Sequence, residues 1–374
     1  MPSRAVTSLL AAVLITSAVV PAAQAAAPGD VISSSHVTLP LFPVPVNARQ
    51  ILYRSTSATG AANTVSGIVL EPPKPWTGAG PRPVVAYAMG TQGLADECAP
   101  SNQLRKGSEV EIAFLVQAVQ KGWAVAVTDY EGLGTPGTHT YAVGQSEGRA
   151  LLDVARAATS LLNVAKAPIG VFGYSQGGQA ASFAGELWAR YAPELNVVGV
   201  AEGGVPADLA EVAAFNDGNA GSGLVFGAAA GYATAYPELP LTDVLNARGR
   251  AVIERVKESC VVELALTAPF TRLNDLTTTP DVIKDPRWQA RLAENRLGTV
   301  KPAAPVYLYH GTVDELIPFS VGRGLRDRYC ARGATVQWTA LPLAGHIGAI
   351  SAWGTNALNW LGDRFAGKQA TSNC

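Results

Sequence analysis

The chain has 374 residues, 48% of them hydrophobic, and its 28 Lys and Arg nearly balance 29 Asp and Glu. Only 15% of residues are charged, against about 25% in ordinary globular proteins, so the chain can bury a large core and is not a disordered tail. A near-neutral chain without a basic block has no footprint for phosphates, and nucleic acid is not an expected partner.

The first 25 residues read as a leader. Arg4 is followed by an apolar run from Leu9 to Val20, then Pro21 and the small-residue site Ala23-Gln24-Ala25. A basic start, a short apolar segment and an A-x-A site are the marks of a secretory signal peptide, cut here near Ala25. The run stops well short of the roughly 20 apolar residues that a membrane-crossing helix needs. No later segment is long and apolar enough to span, so the mature chain, residues 26–374, is expected to be soluble outside the cytoplasm. Length alone leaves the number of domains open.

Residues 50–55 and 65–70 alternate apolar and polar positions and predict an antiparallel strand pair. After a Pro-rich link the chain settles into strand, loop and helix. Strands are predicted at 84–88, 123–128, 169–172, 197–201, 306–309 and 336–341, with helices at 109–121, 147–162, 177–190 and 350–365. Such alternation implies an α/β fold, a mostly parallel sheet covered by helices on both faces. Between Gly203 and Lys301 the rhythm breaks. No strand is evident there, and the small-residue apolar run Gly221 to Tyr236 stands out; an insertion of this size reads either as a cap over a site or as a packing excursion. The run suggests acyl or interface contact.

Export changes the meaning of Cys98, Cys260, Cys330 and Cys374, which lie far apart without a C-x-x-C pair. Two disulfides are the natural reading in an oxidising compartment, and spacing leaves all three pairings open.

Gly173-Tyr174-Ser175-Gln176-Gly177 is a G-x-S-x-G motif between a predicted strand and a predicted helix. In that context the motif forms a sharp turn that lifts the Ser hydroxyl from the sheet edge, with the helix N-terminus facing developing negative charge. A second match, Gly144-Gln145-Ser146-Glu147-Gly148, follows no strand, and Ser146 is expected to cap the next helix. Gly132-Leu133-Gly134-Thr135-Pro136-Gly137 imitates a dinucleotide-binding loop, but Pro136 opposes the helix that such a site requires.

A serine nucleophile needs an imidazole base and a carboxylate to orient it, in the chain order Ser, acid, His for this kind of turn. His36 and His139 precede Ser175, leaving His310 and His346. Asp314 sits in the loop beyond a predicted strand; if it is the acid, His346 is the one remaining base, with Glu315 as a rival acid. Oxyanion donors are expected from the Gln176 amide and from Thr91 or Gln92, in the Gly-rich loop after the 84–88 strand.

At these residues the chain resembles the secretory lipase family. The likeness runs through most of the mature chain and is carried by Asp96-Glu97-Cys98-Ala99-Pro100-Ser101, Asp129-Tyr130-Glu131-Gly132, Gly173-Tyr174-Ser175, Tyr191-Ala192-Pro193-Glu194-Leu195-Asn196, Asp314-Glu315-Leu316-Ile317-Pro318 and the Gly345-His346 loop. It implies an α/β-hydrolase with a helical lid, inserted at about 203–301, acting on carboxylic esters including acylglycerols. The family's nucleophile, acid and base fall on Ser175, Asp314 and His346. All four cysteines match, implying Cys98–Cys260 and Cys330–Cys374. The family's second oxyanion position falls on Gln92, where its yeast member has Asp; after the nucleophile that member has Gly where this chain has Gln176. Ser146 gains nothing, since a Glu stands at the matching place. The expected partners are ester substrates and a lipid–water interface, and the expected chemistry needs no metal or cofactor. An amidase with the same residues, or a binding protein on the same fold without catalysis, are the competing readings.

Overall fold

The computed structural model describes residues 27–374, so the expected leader lies outside the described residues. Nine strands form one sheet in the order β1-β2-β3-β5-β4-β6-β7-β8-β9. They are β1 Val31–Val37, β2 Asn47–Thr56, β3 Ala62–Glu71, β4 Val84–Ala88, β5 Ala124–Thr128, β6 Pro168–Tyr174, β7 Asn196–Gly203, β8 Val306–Gly311 and β9 Val336–Leu341. From β5 to β9 all neighbours are parallel, whereas β1, β2 and β3 add antiparallel at one side. The predicted strands are all present, and the architecture is the expected α/β sheet. Strand β1 was not expected: its sequence, Val-Ile-Ser-Ser-Ser-His-Val, lies exposed along the edge and carries no apolar alternation.

Strands β4 and β5 are buried along their whole length, which is why they read as unbroken apolar runs. One face is packed by helices Gly144–Leu161, Gln176–Tyr191 and Phe319–Ala331 through Leu151, Phe183 and Leu325. The other takes helices Ile112–Gln120 and His346–Phe365 through Leu115, Leu358 and Leu361. Each such side chain, taken fully out of water, contributes about 1.5–3 kcal/mol before ordering costs. Three helix starts differ from expectation. The Ile112 helix begins after Glu109 and Glu111, whose carboxyls turn inward and are buried. The Gly144 helix begins three residues early, with Val143 as its cap residue. Ser146 therefore lies inside the first turn and caps nothing: it is buried, and its hydroxyl donates to Glu131 instead. The last helix begins at His346 rather than near Ile350.

Between β7 and β8 the chain makes a run of helices, including Leu209–Asn216, Ser222–Ala235, Ala247–Lys257, Val261–Ala265 and Pro286–Glu294. They share a separate apolar cluster built on Phe226, Tyr232, Leu241, Leu276 and Trp288. The Gly221–Tyr236 run is thus not an exposed patch, because Phe226, Tyr232 and Tyr236 face inward. Cys98 is bonded to Cys260 and Cys330 to Cys374. The first bond joins the segment after β4 to this helical insertion; the second joins the C-terminal tail to the Phe319 helix. Among the described residues no helix is long and apolar enough to cross a membrane.

Candidate active site

Ser175 stands between β6 and the helix Gln176–Tyr191 with φ 58° and ψ −122°. That positive φ is costly for a residue with a Cβ and persists where the surroundings enforce it. They do so by close approach of main chain. A Cβ on Gly173 would lie 2.0 Å from the Gly177 oxygen, and one on Gly177 would lie 2.0 Å from the Ala88 oxygen. Both glycines of the motif are therefore steric requirements of the turn. The Ser175 N–H donates to the Gly203 carbonyl at 2.9 Å, fastening the turn to β7.

His346 opens the last helix, and its Nε2 lies 2.9 Å from Ser175 Oγ. Its Nδ1 lies 2.7 Å from Asp314 Oδ2. The carboxylate makes Nδ1 the protonated nitrogen, which leaves Nε2 as acceptor for the Ser175 hydroxyl. Asp314 Oδ1 accepts the Leu316 and Ile317 N–H groups at 2.9 and 2.8 Å. Burial works against its charge, but the hydrogen bond and charge of His346, the Ile317 N–H and His310 outweigh it and hold the carboxyl below its ordinary range. Glu315, the rival candidate acid, is elsewhere: its Oε2 accepts the His346 backbone N–H at 2.9 Å and so fixes the main chain of His346 rather than its ring. Tyr174 Oη donates to the His346 carbonyl at 2.6 Å from the opposite side.

The other histidines do not meet Ser175. His36 lies on the exposed strand β1. His310 is buried in β8 and its Nε2–H donates to the Ile317 carbonyl at 2.9 Å; burial pushes its pKa down. His139 is buried, with its pKa lowered by burial to about 4. Its Nδ1–H donates to the Glu131 carbonyl at 2.9 Å, so Nε2 accepts the Gln176 side-chain N–H at 3.0 Å. Gln176 Nε2 also donates to Glu147 Oε1 at 2.9 Å, and burial pushes the Glu147 carboxyl up to about 8. The side chain of Gln176 thus faces the interior, while its backbone N–H is at the helix N-terminus beside Ser175.

Across from it, Gly90, Thr91 and Gln92 follow β4 and line the same cavity as Ser175, Gln176 and His346. Among the described residues, the Thr91 and Gln92 N–H groups have no hydrogen-bond acceptor. Gln92 Nε2 points to Glu109 at 3.5 Å, so its side chain is turned away to a buried carboxylate. The roles of Glu109, Glu111, Glu147 and His139 were not read from the sequence. The one local signal was the pair of acidic residues flanking Val110 directly before an apolar helix.

The cavity measures about 400 Å³ and runs from Ser175 into the helical insertion. Its walls are mostly apolar, with Leu209, Leu224, Ala229, Ile283, Trp288 and Leu316 among them. An apolar space that reaches the Ser175 hydroxyl suits a ligand with a polar centre and a long apolar tail. Among the described residues no group of three or more His, Cys, Asp or Glu is arranged to hold a metal ion.

The secretory lipase family model matches residues 101–373. A secreted triacylglycerol lipase of Malassezia globosa is 31% identical, over 94% of this chain and 78% of its own. A Mycobacterium tuberculosis protein named a probable inactive lipase is also 31% identical, over 94% and 81%. The crystal structure of Candida antarctica lipase A in its closed state superposes with a TM-score of 0.86 at 25% identity, over 93% of this chain and 85% of that one. The chain belongs to the secretory lipase family and has the α/β-hydrolase fold.

Proposed function

We propose that this protein is a secreted carboxylic-ester hydrolase that cleaves acyl esters through a covalent acyl-enzyme on Ser175. His346 Nε2 takes the Ser175 proton as Oγ attacks the ester carbonyl, and Asp314 stabilises the imidazolium so formed. The tetrahedral oxyanion is met by the backbone N–H groups of Gln176 and Gln92, with Thr91 as the alternative in that loop. His346 then protonates the leaving alcohol. Water, deprotonated by the same imidazole, attacks the acyl-enzyme and releases the acid.

The observation that carries this reading is the continuous hydrogen-bonded line from Ser175 Oγ through His346 to Asp314, at 2.9 and 2.7 Å, with Ser175 and His346 lining an apolar cavity. Family membership and the secreted Malassezia relative support action outside the cell on lipid esters. The helical insertion between β7 and β8 is read as the lid, since it supplies much of the cavity wall and has its own apolar cluster. The relative named a probable inactive lipase favours a second reading, a binding protein on the same fold. Labelling with a fluorophosphonate separates the two. The hydrolase reading expects stoichiometric labelling of Ser175 and loss of both labelling and p-nitrophenyl ester hydrolysis in Ser175→Ala; an unlabelled Ser175 or a fully active variant refutes it.

A further inference from the structure

The loop after β4 must hold two N–H groups unpaired and steady, and that requirement singles out one buried side chain. At the far end of the loop the Gln92 carbonyl accepts the Val261 N–H at 2.8 Å, and the Leu94 N–H donates to the Ser259 carbonyl at 2.9 Å. At the near end the Gly90 N–H donates to Glu111 Oε1 at 2.7 Å. Glu111 is itself fixed twice. Its Oε2 accepts the Tyr87 hydroxyl at 2.7 Å, and its own N–H donates to Glu109 Oε1 at 3.0 Å. Tyr87 belongs to β4, so the strand that delivers the loop also anchors the group that stops it.

Space around Gly90 leaves little room for drift. A Cβ there would come within 3.0 Å of Glu111 Oε1, 3.4 Å of the Tyr174 oxygen and 3.9 Å of Ser175 Cβ. The loop is thus wedged between Glu111 and the nucleophile turn. Burying a carboxyl in this position is expensive: desolvation, with Glu109 close by, pushes it up to about 7. A costly polar group beside a site is a candidate for a functional part.

Resting on the acyl-transfer reading above, we propose that Glu111 is a positioning residue: as the acceptor for the Gly90 N–H, it sets the distance of the Thr91–Gln92 amides from the oxyanion that forms on Ser175. It touches no reacting atom and acts through the loop. Oxyanion donors work when pre-set near 2.7–3.1 Å from the developing charge, so sub-ångström slack in the loop is felt in kcat and little in ground-state binding.

Two near-isosteric variants separate the acceptor from the charge. Glu111→Gln keeps an oxygen at full reach and removes the charge, whereas Glu111→Asp keeps the charge and shortens the reach. Both are measured for kcat and KM on a soluble p-nitrophenyl ester, for Tm, and for inhibition by an alkyl boronic acid, whose serine adduct is tetrahedral. The expectation is that Glu111→Asp lowers kcat by roughly 10- to 100-fold with KM within about threefold, since loss of a whole oxyanion donor costs about 10²–10³. Its boronic acid Ki is expected to rise in step, while Glu111→Gln stays within about threefold of the parent on both counts. Equal loss in the two variants, a loss confined to Glu111→Gln, or unchanged kcat in both overturns the proposal. If the parent enzyme neither hydrolyses the ester nor binds the boronic acid, it is the acyl-transfer reading that fails.

Discussion

Glu202 offers a sharp test of how burial tunes this molecule. It lies in β7, fully buried, and neither carboxyl oxygen has a hydrogen-bond partner among the described residues. Desolvation dominates its titration, with Glu186 adding to it, and pushes the pKa up to about 8. An acid raised in the folded state holds its proton there after the unfolded chain has lost its own. Its contribution to stability is therefore complete below the unfolded pKa of about 4.5 and drains away as pH rises through about 8. Between about pH 5 and pH 8 the linkage amounts to roughly 3–4 kcal/mol at 1.36 kcal/mol per unit of pKa, an order-of-magnitude figure. Glu202→Gln removes that drain. The unfolding entropy of the described residues 27–374 is about 0.7 kcal/mol/K, so the parent is expected to lose about 5 °C more in Tm over this range than the variant. The slope carries the test, because the buried amide adds a pH-independent cost of its own. Glu147, Glu111 and Asp129, also raised by burial, contribute alike to both proteins. Calorimetry at closely spaced pH values provides the measurement, and parallel Tm curves for the two proteins refute the argument.

The two acids of the Asp314-Glu315 pair are expected to part company. Asp314→Asn forces the wrong imidazole tautomer and lowers kcat by about 10³–10⁴, whereas Glu315→Gln, which keeps an acceptor for the His346 N–H, costs less than about tenfold in the same ester assay. Ala229 lines the cavity, so Ala229→Phe should shift preference in a p-nitrophenyl ester series toward short acyl chains, and an unchanged profile disconnects the cavity from the acyl group. Opening the Cys98–Cys260 bond, which spans 162 residues, should destabilise by up to about 5 kcal/mol on a chain-entropy account, about 1 kcal/mol more than opening Cys330–Cys374, which spans 44. Urea titrations of the paired Cys→Ser variants decide the order.

Local chemistry made much of this protein legible in the linear sequence. Strands β4, β5, β6 and β8 announce themselves because a parallel sheet covered on both faces needs nearly unbroken apolar runs. Gly173 and Gly177 mark the sharp turn at Ser175 because no larger residue fits, and chain order among four histidines leaves His346 as the one that follows Asp314. Strand β1 escaped because an exposed edge strand rich in serine has no periodic signature. The start of the Gly144 helix escaped because its cap residue, Val143, carries no polar side chain. Only the tertiary structure decided which acid faces the His346 ring and which its backbone, since Asp314 and Glu315 are neighbours in the chain but point to different atoms. It alone brought Glu111 to Gly90 and Glu147 to Gln176, contacts across 21 and 29 residues. Burial is a property of the assembled fold, and burial, which raises both carboxyls, together with these hydrogen bonds makes fixed struts of two ordinary glutamates around the site.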